Sequence, residues 1–152
     1  MRAQDLMTMS PVCVTPDDEV RKVAQVMADH DCGCVPVVDP GDNRRVVGVI
    51  TDRDIAVRGI AKGKGPTTKV GDLMTPDPQT CLPDDEVRAV ERVMAERQVR
   101  RVVVVDDAGF CVGIVAQADL ARAIEKTSEI TEHEVAFVVE RISQPSPDAS
   151  SR

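Results

Sequence analysis

Apolar positions along the chain follow two periods in succession, and the succession occurs twice. Val20, Val23, Ala24, Met27 and Ala28 fall at i, i+3, i+4, i+7 and i+8, one face of a helix. Thr15 and Pro16 suit the N-cap and first helical position, and Asp17, Asp18 and Glu19 suit the positive end of the helix dipole. Val35–Val38 and Val46–Ile50 are short β-branched runs across a turn rich in Gly, Asn and Asp, which predicts a hairpin. A second helix is predicted to start near Asp52 and run through Ile55-Ala56-Val57. The stretch from Gly59 to Gly71, with Gly63, Gly65 and Pro66, reads as a linker.

The second half repeats the first. Asp5-Leu6-Met7-Thr8 returns as Asp72-Leu73-Met74-Thr75, an offset of 72 − 5 = 67, and Pro16-Asp17-Asp18-Glu19-Val20-Arg21 returns as Pro83-Asp84-Asp85-Glu86-Val87-Arg88. Val47-Gly48-Val49-Ile50 is matched by Val112-Gly113-Ile114-Val115 at an offset of 112 − 47 = 65, so two residues are lost within the hairpin turn. A deletion confined to a turn is what a structural repeat tolerates. The pattern predicts an α/β (α+β) fold of two β-α-β-β-α units: repeat 1 over 1–61, linker 62–71 and repeat 2 over 72–126, whose second helix spans about Gln117 to Ile124. A C-terminal helix follows over 127–142, with Thr131-x-x-Glu134 as a capping box and Val135, Val138, Val139 and Ile142 on one stripe. The Pro/Ser-rich tail, 143–152, is expected to be disordered.

Composition narrows the function. Of 152 residues 42% are hydrophobic, yet there is no Trp or Tyr and only two Phe, so the core must be aliphatic. The net charge of −7 with scattered basic residues disfavours nucleic acid as a partner. No apolar run approaches the roughly 20 residues of a membrane span and no signal-peptide core is visible, which predicts a cytoplasmic protein. Five cysteines, an odd number, fit reduced thiols. Cys32 and Cys34 stand as C-x-C, not as a C-x-x-C zinc or thioredoxin spacing, and no metal site is expected.

The D-L-M-T start of each copy, followed by G-h-x-[S/T]-x-x-D, resembles the CBS domain family, named for cystathionine β-synthase. Gly48-Val49-Ile50-Thr51-Asp52-Arg53-Asp54 matches that motif in full, and Gly113-Ile114-Val115-Ala116-Gln117-Ala118-Asp119 matches it except for Ala116. The resemblance covers about residues 1–125 and is strongest to stand-alone tandem pairs (Bateman modules) of the bacterial hypoxic-response type. It implies two repeats packed with pseudo-two-fold symmetry, a further pairing into a homodimer, and a regulatory role without catalysis or obligatory cofactor. It also implies an adenosine-type ligand (AMP, ADP, ATP, NAD or S-adenosylmethionine) in clefts between the repeats, with Thr51 facing phosphate and Asp54 facing ribose.

The chemistry of the motif agrees with that expectation. A helix starting at residues 51–52 offers free N–H groups and a positive dipole end to a phosphate, and Asp54 can accept from ribose hydroxyls. Thr51-x-x-Asp54 is equally a capping box that serves only the helix's own first turn. By the family pattern, Val49, Met74, Gln79, Val99 and Arg100 line the same cleft. A second, weaker cleft would hold Asp119, Ile114, Arg101, Met7, Val12 and Cys32. Arg100 and Arg101 also read as solvated strand ends. Two other functions compete: a protein-interaction or stress-response module with no nucleotide, acting on an unidentified partner in trans, and a thiol redox sensor using Cys32 and Cys34, with Cys13 as a further candidate.

Overall fold

The computed structural model describes residues 1–42, 44–124 and 130–145. Helix and strand are mixed, as the sequence pattern predicts, and the strands form two sheets. Elements run in chain order as α1 (Ala3–Leu6), β1 (Thr8–Met9), α2 (Val20–His30), β2 (Cys34–Val38), β3 (Val46–Thr51) and α3 (Asp52–Asp54). A π-helical turn, Ile55–Gly59, and a 3-10 turn, Ile60–Lys62, extend α3. Then come α4 (Val70–Leu73), β4 (Thr75–Pro76), β5 (Thr80–Cys81), α5 (Val87–Arg97), β6 (Arg101–Val105), β7 (Cys111–Ala116), α6 (Gln117–Ile124) and α7 (Glu132–Ser143).

Two compact units result, and they do not coincide with the sequence repeats. One takes Ser10–Pro78 and Val105–Val112; the other takes Met1–Met9, Gln79–Val104 and the chain from Gly113 onward. Each unit thus contains the Asp-Leu-Met-Thr segment of the other repeat.

In the unit that carries most of repeat 1, β2 and β3 form the predicted hairpin and β4 adds antiparallel to β3, with Val49 opposite Thr75. Val14 runs parallel to β2 opposite Val37. The core is aliphatic: Val14, Val20, Val23, Val35, Val37, Ile50, Val70 and Leu73. Ala24 and Ala28, predicted on the same stripe as Val20 and Val23, are exposed.

The other unit has sheet order β1-β7-β6-β5, with Thr8 opposite Ile114 and β5 parallel to β6. Its α1 is held by Ala3 N donating to Asp85 O at 2.9 Å and Gln4 N to Pro83 O at 3.0 Å. Helix α7 packs on α5 and α6 through Val135, Val138 and Ile142, capped by Thr131 and Glu134 as the sequence indicates. Ser143 closes α7, so the helix takes the first residue assigned to the tail; residues 146–152 of that tail lie outside the described residues.

One expectation is corrected. Thr15 and Pro16 do not start α2, whose N-cap is Glu19. Thr15 N instead donates to the Asp18 carboxylate at 2.8 Å and Asp18 N to Thr15 O at 3.1 Å, closing a separate turn. Helix entry is delayed because Glu19 bridges to Lys69 and Val20 N donates to Thr68 O at 2.9 Å. The acids therefore precede the helix rather than occupying its first turn.

Candidate functional site

The first unit builds its site where β3 becomes α3. Thr51 has extended backbone and the three residues after it are helical. Its hydroxyl oxygen accepts Asp54 N–H at 3.1 Å, and Asp54 Oδ2 accepts Thr51 N–H at 3.0 Å, a closed capping box. The rest of the first turn is also satisfied: Asp52 N donates to Gly33 O at 3.1 Å and Arg53 N to Asp52 Oδ1 at 2.8 Å. The expected free N–H groups are therefore corrected to partnered ones.

What remains is specific. Capping uses Thr51 Oγ1 as an acceptor, so its O–H proton is still available as a donor. Asp54 Oδ1 faces only the Arg58 guanidinium at 3.9 Å among the described residues, and the Asp54 side chain is 16% exposed. Arg58 Nη1 also donates to Leu73 O at 3.2 Å and Met74 O at 3.1 Å, joining the carboxylate to the end of α4. Sequence reasoning missed Arg58, although its i+4 spacing from Asp54 was a readable signal.

Met74 is brought to this site by Gly48. A Cβ at 48 would lie 2.7 Å from Met74 Sδ and 2.9 Å from Thr75 O, so only glycine lets β4 lie this close to β3. Thr51, Asp54, Val49 and Met74 are thus assembled within one unit. Gln79, Val99 and Arg100, expected on the same cleft, belong to the other unit.

That other unit repeats the arrangement with one part missing. A Cβ at Gly113 would lie 2.9 Å from Met7 Cγ, the counterpart of Gly48 against Met74. Gln117 N donates to Arg100 O at 2.9 Å, as Asp52 does to Gly33. Ala116 N donates to Asp119 Oδ2 at 2.7 Å, but Ala116 has no hydroxyl to return the bond. Asp119 Oδ1 is ion-paired with Arg122, and the carboxylate is only 11% exposed. Asp119, Ile114, Met7 and Arg101 lie in this unit; Val12 and Cys32 lie in the other.

The two half-motifs, each a glycine under a methionine and an acid closing the helix start, are what the family pattern encodes. The CBS domain model matches residues 3–58 and 70–126. The chain belongs to the CBS domain family. This CBS pair is 35% identical over 149 residues to Hypoxic response protein 1 of Mycobacterium tuberculosis, covering 97% of this chain and 98% of that one. The crystal structure of that Hypoxic Response Protein I, described with two coordinated zinc ions, matches with a TM-score of 0.72 over 80% of this chain and 98% of that chain. Among the described residues of this CBS pair, no group of three His, Cys, Asp or Glu could hold a metal ion. CBSX2 in complex with AMP is 28% identical, with a TM-score of 0.71 over 82% of this chain and 96% of that one. The CBS domain pair of MJ0100 in complex with 5'-methylthioadenosine and S-adenosyl-L-methionine is 27% identical, with a TM-score of 0.75 over 83% and 97%. No helix among the described residues is long and apolar enough to cross a membrane.

Proposed function

We propose that this CBS pair is a regulatory sensor of an adenosine-type ligand, with the Thr51/Asp54 site the better of two. The reading is carried by the Thr51 O–H donor that capping leaves over and by Asp54 Oδ1, engaged among the described residues only by the long 3.9 Å contact with Arg58, beside Met74. A ligand phosphate accepts from Thr51, vicinal ribose hydroxyls donate to Asp54, and Val49 and Met74 give apolar faces to the base. AMP in CBSX2 and 5'-methylthioadenosine and S-adenosyl-L-methionine in MJ0100 support this ligand class. In the other unit, where Asp119 lies with Arg101, Ile114 and Met7, the Arg122 ion pair and the absent hydroxyl disfavour the same ligand.

The role is regulatory rather than catalytic and the compartment cytoplasmic, in keeping with five thiols and no disulfide. Pairing into a homodimer, with output to a protein partner in trans, is part of this reading. A second reading, an interaction module without nucleotide, is favoured by the closed first turn of α3, which leaves no backbone donor for a phosphate.

Thermal shift against AMP, ADP, ATP, NAD and S-adenosylmethionine tests the proposal. A ligand at 100 times its Kd stabilises by about 2.7 kcal/mol. A melting temperature unmoved by the whole panel sinks the nucleotide reading and leaves the interaction module.

A further inference from the structure

Two cysteines that the ligand reading does not use meet within one compact unit. The segment after β1 runs antiparallel to the start of β7: Ser10 N donates to Val112 O at 3.0 Å, which brings Pro11 opposite Cys111. The Cys13 thiol turns back to donate to Pro11 O at 3.4 Å, on the backbone opposite Cys111; the Cys111 side chain is the largest influence on its pKa, and lowers it. Arg44 fixes a positive charge there, donating from Nε and Nη2 to Cys111 O at 3.1 and 2.7 Å. Cys111 N in turn donates to Arg44 O, so the guanidinium and the buried cysteine are locked together through the backbone. Cys111 is 0% exposed whereas Cys13 is partly open.

We propose that Cys13 and Cys111 form a dithiol that a hydroperoxide oxidises to an intra-chain disulfide, with Cys13 attacking and Cys111 resolving. The roles follow from access: an oxidant reaches Cys13 and not Cys111. The Cys111 hydrogen bond and the Arg44 charge hold the Cys13 thiol below the ordinary cysteine range despite the opposing effect of burial, which favours the reactive thiolate. Cys81 is the contrast, pushed up to about 12 by burial and by Asp85.

The Cys13 thiolate attacks the peroxide O–O bond, giving a sulfenic acid and an alcohol once the leaving oxygen takes a proton. Cys111 sulfur then displaces the sulfenic oxygen, which leaves as water with the Cys111 proton. Two thiols lose two electrons and two protons, and one peroxide is reduced. Forming the disulfide requires the two sulfurs to close to roughly 2 Å.

The experiment treats the full chain with hydrogen peroxide up to equimolar, alkylates remaining thiols and maps peptides by mass spectrometry without reduction. The expected product is a Cys13–Cys111 linked peptide pair, lighter by two hydrogens, reversed by dithiothreitol and at least ten-fold more abundant than any linkage through Cys32, Cys34 or Cys81. In Cys111→Ala, Cys13 should accumulate as a sulfenic acid that dimedone traps, formed more slowly than in the wild type because the Cys111 hydrogen bond that favours its thiolate is gone. A dominant Cys32–Cys34 linkage, or Cys13 and Cys111 recovered separately alkylated, overturns the proposal. The wild-type map needs no variant to fold, and it is indifferent to whether a nucleotide binds.

Discussion

Gly48 lies directly under the Met74 side chain, so a methyl group there would meet both the Met74 sulfur and the Thr75 carbonyl oxygen, at 2.7 and 2.9 Å. Gly48→Ala should therefore destabilise by about 1–3 kcal/mol, the usual cost of overpacking, read from urea unfolding midpoints. Adding Met74→Ala should recover only part of the loss, because the carbonyl clash is with backbone. Full recovery would show that the methionine alone sets the requirement for glycine.

Thr51 and Asp54 have separable duties. Thr51→Ser keeps both the acceptor and the O–H and should leave stability and nucleotide response near wild type. Thr51→Ala should cost about 1 kcal/mol through the lost cap, and ligand response should fall with it. Asp54→Asn keeps an oxygen for the Thr51 N–H but removes the charge, so calorimetry should show about ten-fold weaker adenosine-ligand binding with little change in unfolding.

The incomplete cap of the second repeat can be completed. Ala116→Thr places a hydroxyl where Asp119 N–H can donate, and a gain of about 0.5–1 kcal/mol in unfolding free energy is expected. A neutral or destabilising result would mean that the Arg122 pairing of Asp119 already holds the turn.

Glu91 should give stability a pH slope. It is 7% exposed and Oε1 has no hydrogen-bond partner among the described residues. Burial, then the Glu134 charge, pushes its carboxyl up, against the pull of Arg88. The native state thus keeps a proton that the unfolded chain has released above the ordinary glutamate range, so stability falls as pH rises from that range to the raised native value. Glu91→Gln should remove this slope, with a gain of about 1 kcal/mol at neutral pH that vanishes below about pH 4. Unfolding series at several pH values would check it.

The hairpins, the second helices and the repeat itself were legible because each rests on local period and on matching registers. Thr15 misled because its pattern is local while the start of α2 is set by Thr68 and Lys69, far along the chain. The same turn recurs in repeat 2, where Leu82 N donates to Asp85 at 2.8 Å. A backbone N–H makes that bond in both copies, so the turn forms with either Thr15 or Leu82 and marks no helix start. At the site, motif spacing brought out Thr51 and Asp54 but could not show that the first-turn donors were already taken by Gly33, Asp52 and Thr51. Cys111 escaped notice because it lies far from Cys13 in sequence.

The exchanged Asp-Leu-Met-Thr segments bear on ancestry. A single repeat has a strand to give and a glycine groove to fill, but its own segment fills the groove of another copy. An unduplicated ancestor could complete both grooves only by trading N-terminal strands with a twin, as domain-swapped dimers do. With both repeats in one chain the trade is internal, which frees the two copies to differ at Thr51 and Ala116.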